Sequence, residues 1–208
     1  MDYSLPEEHF QQNIEIIIND VLKEEAIALF ITDVIVKEEQ ELSLIECMLC
    51  RDGECAPLSA NGSGIADALF TALVRHCSAE FLCLRKVAFE DFNLKANFKD
   101  SVKVHRSDAT VEVTLVLKSS NARRLYFRAS SRSLISAVIE SVRKSIQFLI
   151  NCEKTVTELY LHIEELRENG RRQAEEVRVL KLADVVRVAD FEETIKRVKW
   201  QTKKNPAP

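Results

Sequence analysis

Apolar residues near the start of the chain recur three and four apart: Phe10, Ile14, Ile17, Ile18, Val21 and Leu22. That is the spacing of one helix face. Pro6 suits a first helical turn, and Glu7 and Glu8 favour the positive end of a helix dipole. Residues 6–24 are therefore expected to be helical. The pattern then changes. Residues 26–36 and 42–50 are rich in branched side chains and read as strands. Asp52-Gly53 is a strong two-residue hairpin signal. A short return strand runs from Cys55 to Ser59, and Pro57 suits an edge or a strand end. A helix over 64–78 follows, with Ile65, Leu69, Ala72 and Leu73 on its apolar face and Ala68 and Phe70 at its margins.

The same order then recurs. Near Leu84 a strand begins in which Val87 and Phe89 share one parity and Phe92, Leu94, Ala96 and Phe98 the other, so a bulge is expected near Glu90-Asp91. Residues 109–118 alternate, with Val111, Val113, Leu115 and Leu117 on one face. Ser119 to Asn121 is a turn, 123–129 a return strand, and Ser133 a helix N-cap. The polar turn and helix start of Ser59 to Leu73 thus have a counterpart in Ala129 to Val142. The second helix continues through Ile139, Val142, Ile146, Leu149, Val156, Tyr160 and Ile163, a heptad-like seam interrupted at Glu153 and ended by Asn169-Gly170. Gln173 to Lys199 is expected to be one more helix, with Val177, Leu180, Val186, Phe191, Ile195 and Val198 inward, although Val177 to Leu182 also fits a short strand. The fold class read from this order is α+β: two pseudo-symmetric βββα units with antiparallel strands spanning 26–153, an N-terminal helix over 1–25, and a C-terminal helical hairpin over 154–208.

Composition narrows the functions. The chain has 208 residues, is 46% hydrophobic and carries a formal charge of −4, which argues against nucleic acid as the main partner. The basic tail with Lys199, Lys203 and Lys204 reads as a solvated end. No apolar run reaches the ~18 residues that a membrane span needs. The first residues lack a basic n-region and a cleavage site, so a cytoplasmic protein is expected, with all six cysteines as thiols. Cys47-x-x-Cys50 with Cys55 nearby invites a zinc reading, but residues three apart on a strand point to opposite faces, and buried thiols are the preferred reading. His9, His76, His105 and His162 are scattered. No nucleophile–base pair, metal set or cofactor fingerprint can be assembled, so neither an enzyme nor a metal or cofactor protein is expected. The turn Asn61-Gly62-Ser63-Gly64 opens a helix whose free N–H groups suit an anion, and Asp67 in the first helical turn either serves the helix dipole or faces a ligand ammonium.

Three stretches resemble the C-terminal regulatory (allosteric, dimerisation) domain of 2-isopropylmalate synthase and citramalate synthase. Gly62-Ser-Gly-Ile-Ala-Asp-Ala-Leu-Phe70 is similar to that domain's G-N-G-P-V-D-A-L-F motif, Ser107-Asp-Ala-Thr-Val-Glu-Val-Thr-Leu115 to its S-D-A-x-G-E-V-T-V strand, and Ser131-Arg-Ser-Leu-Ile-Ser-Ala137 to its S-T-D-I-I-E-A-S helix start. The departures are Ile65 for proline, Val111 for glycine and Ser133 for aspartate. The resemblance covers roughly residues 26–151 and implies two βββα units in a homodimer, a feedback amino acid bound between units, and no catalysis. It lacks the catalytic barrel, which alone takes roughly 250 residues; Arg51-Asp-Gly-Glu54, an echo of that barrel's active site, falls in a hairpin turn. The resemblance points to a small amino-acid ligand held by Asn61, Gly62, Ser63, Gly64 and Asp67 with the loop Asp108-Ala109. The alternative expectation is an interaction or oligomerisation protein that has lost its ligand and recruits a protein partner through residues 139–199.

Overall fold

The structure, a computed structural model, describes residues 5–97 and 110–204. Its elements run α1 (Leu5–Leu22), β1 (Phe30–Glu39), β2 (Leu42–Arg51), β3 (Glu54–Gly62), α2 (Ile65–Cys77), β4 (Ala88–Asn97), β5 (Thr110–Lys118), β6 (Arg124–Ser131), α3 (Leu134–Glu168), α4 (Arg172–Val185) and α5 (Glu192–Lys204). This is α+β. Two three-stranded antiparallel sheets, ordered β1-β2-β3 and β4-β5-β6, are each followed by a helix. Helix α2 lies on β2 and β3, and α3 lies on β5 and β6. Alternation on the central strands dictates this packing. Ile45, Cys47 and Leu49 turn inward from β2, as Val113, Leu115 and Leu117 do from β5, and all are buried in one continuous core.

Several local expectations hold. Asp52 and Gly53 both adopt positive φ (52° and 84°), the two-residue primed turn that matches strand twist. The register of β4 on β5 shifts between Phe89 and Asp91, at the expected bulge. The Ser133 hydroxyl accepts the Ser136 N–H and caps α3. Gly170, with φ 65°, closes α3, and the Arg171 N–H reaches back to the Leu166 carbonyl at 2.9 Å.

Helix α3 is the axis of the molecule. It runs unbroken through position 153 and contacts α1, α2, α4 and α5 as well as its own sheet, so its apolar seam is used within the chain. The segment before β1 is not yet strand, contrary to the expectation of a strand from residue 26. It lies along α3, whose side chains take the place of a neighbouring strand. Asn151 accepts the Ile27 N–H (2.8 Å) and donates to its carbonyl (2.9 Å). Gln147 accepts the Leu29 N–H, and Arg143 and Lys154 donate to the carbonyls of Leu29 and Glu25. A backbone running beside a helix needs such partners, because buried N–H and C=O groups do not stay unpaired.

The C-terminal region differs most from expectation. Gln173 to Lys199 is two helices, interrupted over 186–191, where Val188, Ala189 and Phe191 are buried. The turn plugs the core and reorients the chain. Val177 and Leu180, expected inward, are 52% and 68% exposed. The alternative of a short strand over Val177 to Leu182 is excluded by α4.

Candidate functional site

The expected ligand turn is closed on itself. One carboxylate oxygen of Asp67 accepts both the Ser63 N–H (2.9 Å) and the Ser63 hydroxyl (3.2 Å). The Ala68 N–H goes to the Gly64 carbonyl at 2.9 Å. This is the reciprocal logic of a capping box, with an acidic residue in the first turn reaching back to the entering backbone. Gly62 is required by close approach: a Cβ there would lie 2.3 Å from the Ala68 nitrogen. Asn61 is exposed at the end of β3. Asn61 to Gly64 and Asp67 are thus brought together, as a turn lock whose Asp67 carboxylate is already engaged. Asp108 and Ala109, the other residues expected there, lie outside the described residues.

Clefts open elsewhere. One of about 450 Å³ lies between α1, β6 and α3, floored by Ile18, Phe127 and Phe148. Its polar walls are engaged within the chain. Gln11 exchanges two hydrogen bonds with the Tyr126 backbone, both 3.0 Å, and so covers the free edge of β6. Asn151 and Gln147 hold residues 27–29 as above. Arg143 forks onto Glu140 (2.7 and 2.8 Å), which holds the Glu140 carboxyl below its usual range. Desolvation raises the Glu15 carboxyl at the mouth of this cleft, only partly offset by a hydrogen bond to Gln11 and by Lys144.

A second cleft, about 630 Å³, has Glu153 in its wall. This residue, which breaks the apolar seam in the sequence, is 1% exposed. Its carboxylate accepts the N–H groups of Leu82 (3.1 Å) and Cys83 (2.8 Å), the Thr194 hydroxyl (2.8 Å) and the Arg197 guanidinium (3.1 Å). A buried charge survives only when paired and fully hydrogen-bonded. Glu153 meets that condition by tying the link between the two units to α5. Among the described residues no group of three or more His, Cys, Asp or Glu is placed to hold a metal.

The features that sequence reasoning missed lie on the solvent-facing side of the first sheet. Cys50 and Cys55, expected to be thiols, form a disulfide. They are register partners across the β2–β3 hairpin, with Cα atoms 4.1 Å apart. The signal was present in the sequence: a two-residue turn at 52–53 pairs 51 with 54 and therefore 50 with 55. Cys47, three residues earlier, is buried on the opposite face. Phe30 is the other register partner of Cys50, so Phe30, Cys50 and Cys55 form one row across three strands. Thr32, Met48 and Pro57 form the next row. Ile35, Leu42 and Leu44 extend the same face. Phe30 is 60% exposed, and Ile35 and Leu42 are each 52% exposed. The central charges of this face, Lys37 and Glu46, pair with each other at 3.2 Å.

No helix among the described residues is long and apolar enough to cross a membrane. In comparison with known proteins, the chain matches no family model and no curated sequence.

Proposed function

We propose that this chain is a non-catalytic, cytoplasmic regulatory module that works as a homodimer, in the manner implied by its resemblance to the 2-isopropylmalate synthase regulatory domain. The observation that carries the reading is the apolar row on the outer face of the first sheet. Phe30, Ile35, Leu42 and the half-buried Leu44 and Met48 share this face, and exposed apolar side chains gathered on one face are the kind of feature that marks an interaction site. A second copy of the chain is the occupant that fits. The face's central charges cancel in the Lys37–Glu46 pair, which lowers the charge that a second copy would have to meet there. An isologous contact also needs only one such patch.

Light scattering on the purified chain tests this. The wild type is expected to be a dimer and Phe30→Asp a folded monomer; a wild-type monomer at high micromolar concentration would sink the reading. Amino-acid binding at Asn61 to Gly64 would require Asp67 to release Ser63. Calorimetry with branched-chain amino acids decides it, and no heat at millimolar ligand removes the amino-acid version.

A second reading, recruitment of a protein partner through the C-terminal helices, is favoured by the exposed Val177 and Leu180 on α4. These residues share one helix face, three positions apart. Val177→Glu with Leu180→Glu separates the two readings: loss of partner capture with the dimer intact supports the second. Deleting everything after residue 154 would not serve, because Val156, Leu159 and Ile163 are buried.

A further inference from the structure

Six cysteines fall into two populations. Cys47, Cys77, Cys83 and Cys152 are free and buried. Cys50 and Cys55 are bonded, with Cys55 exposed and Cys50 half-buried, and they lie within the apolar row of the first sheet. The bond is not needed to form the hairpin. Asp52 and Gly53 already set the turn, and the Arg51–Glu54 and Cys50–Cys55 positions are already paired in the ladder. The two cysteines are five positions apart, and so short a loop is the case in which a disulfide constrains the unfolded chain least. The strand it ties down, β3, is an edge strand whose Pro57 has no N–H to give.

We propose that the Cys50–Cys55 bond is an exchangeable redox switch on the self-association face. Oxidised, it holds the Phe30–Cys50–Cys55 row in register across three strands. Reduced, it frees the start of β3 and weakens the contact between copies. The proposal rests on the dimer reading above.

The exchange needs a dithiol reductant. One of its thiolates attacks Sγ of Cys55, the accessible sulfur. The S–S bond breaks, a mixed disulfide forms, and the electron pair leaves on Cys50 Sγ, which takes up a proton. The reductant's second thiolate then displaces Cys55, which is protonated in turn. Two electrons pass from the dithiol, which ends as its own disulfide, and the protein ends with two thiols. The chain's own thiols do not compete. Cys77 lines the same small cleft as Cys55, but burial pushes it up to about 11 and keeps it a thiol. In a reducing compartment an exposed disulfide of this kind is a redox-responsive element rather than a structural staple.

The test uses the full chain, oxidised and then treated with dithiothreitol without denaturant. Alkylation read by mass spectrometry is expected to label two cysteines, Cys50 and Cys55, and to spare the four buried ones. By sedimentation, the dimer dissociation constant is expected to rise about tenfold on reduction, the cost of re-ordering roughly one backbone residue, and to recover on reoxidation. The double variant Cys50→Ser, Cys55→Ser should match the reduced form in the absence of reductant. A bond that reduces only in denaturant overturns the switch. Equal association of both forms also overturns it while leaving the dimer standing. No association in either form, with Phe30→Asp indistinguishable from wild type, removes the dimer and the switch together.

Discussion

The two sheets share an architecture and differ in what they turn toward solvent. Across the first, the rows are Phe30–Cys50–Cys55 and Thr32–Met48–Pro57. Across the second, the corresponding rows are Asp91–Val116–Tyr126 and Asn93–Thr114–Arg128. Polar groups on the second face satisfy one another: Asn93 donates to Asp91 at 2.8 Å, and Arg124 holds Glu90 at 2.9 Å. Leu94, also exposed, belongs to the opposite parity of β4, opposite the buried Val113. Their edges differ as well. The free edge of β6 is covered by Gln11 from α1, whereas the edge strand β3 carries Pro57, which has no N–H to offer a neighbour. A repeated frame thus carries two surfaces, one suited to water and one to a partner. Inward-facing positions of both sheets are apolar because both meet the core, and the outward-facing positions carry no such common demand.

Four perturbations test how far the halves differ and what joins them. The largest effect is expected at the join. Glu153→Ala removes the carboxylate that pairs with Arg197 and accepts the Leu82 and Cys83 N–H groups, and should cost about 3–5 kcal/mol in urea unfolding. A loss under 1 kcal/mol would mean that the units stand without it.

Alkaline pH should affect both halves alike. The Cys77 thiol is raised by burial from 9.0 to about 11, and the Cys83 and Cys152 thiols are also raised by burial. The unfolded chain releases these protons first, so the folded form binds more of them above pH 9. Stability should therefore fall as pH rises from 9 towards 11, by about 2–3 kcal/mol for Cys77 alone. Cys77→Ala, compared with wild type at pH 7 and pH 10.5, should show a smaller fall.

Gln11→Ala uncovers the β6 edge and should cost about 1–2 kcal/mol, because the Tyr126 N–H and C=O lose their partners. It should also slow-exchange less well: the Tyr126 amide is expected to lose protection in hydrogen exchange while the β2 amides do not change. The smallest effect belongs to Arg124→Ala. Its ion pair with Glu90 lies in solvent, and thermal unfolding should be unchanged within error. A clear shift there would show that the second face is a working surface and not a solvated one.

Much of this frame was legible in the chain, for physical reasons that can be named. The Asp52-Gly53 turn, the bulge after Phe89, the Ser133 cap and the Gly170 stop are local devices, and each is carried by one or two residues whose backbone preferences dominate. The α3 seam was legible because its period repeats for many turns. What stayed hidden depends on distant partners. Nothing near Gln11, Gln147 or Asn151 says that their amides will stand in for a strand. Asp67 carries no mark that distinguishes a turn lock from a ligand contact. Val177 and Leu180 have the spacing of a core face, but the break over 186–191 redirects the chain and lets Val188 and Phe191 take the core instead. The disulfide was readable from the turn register, and a rule about compartments outweighed the geometry.

Residues 25–29 have a consequence for how the molecule can be divided. Their amides and carbonyls are completed by Arg143, Gln147, Asn151 and Lys154, all contributed by the other repeat. Cutting the chain after Cys77 would leave the first sheet's leading segment without these substitutes, and α1 without the helix it packs against. The two units are therefore one cooperative object, and neither is complete when cut from the other.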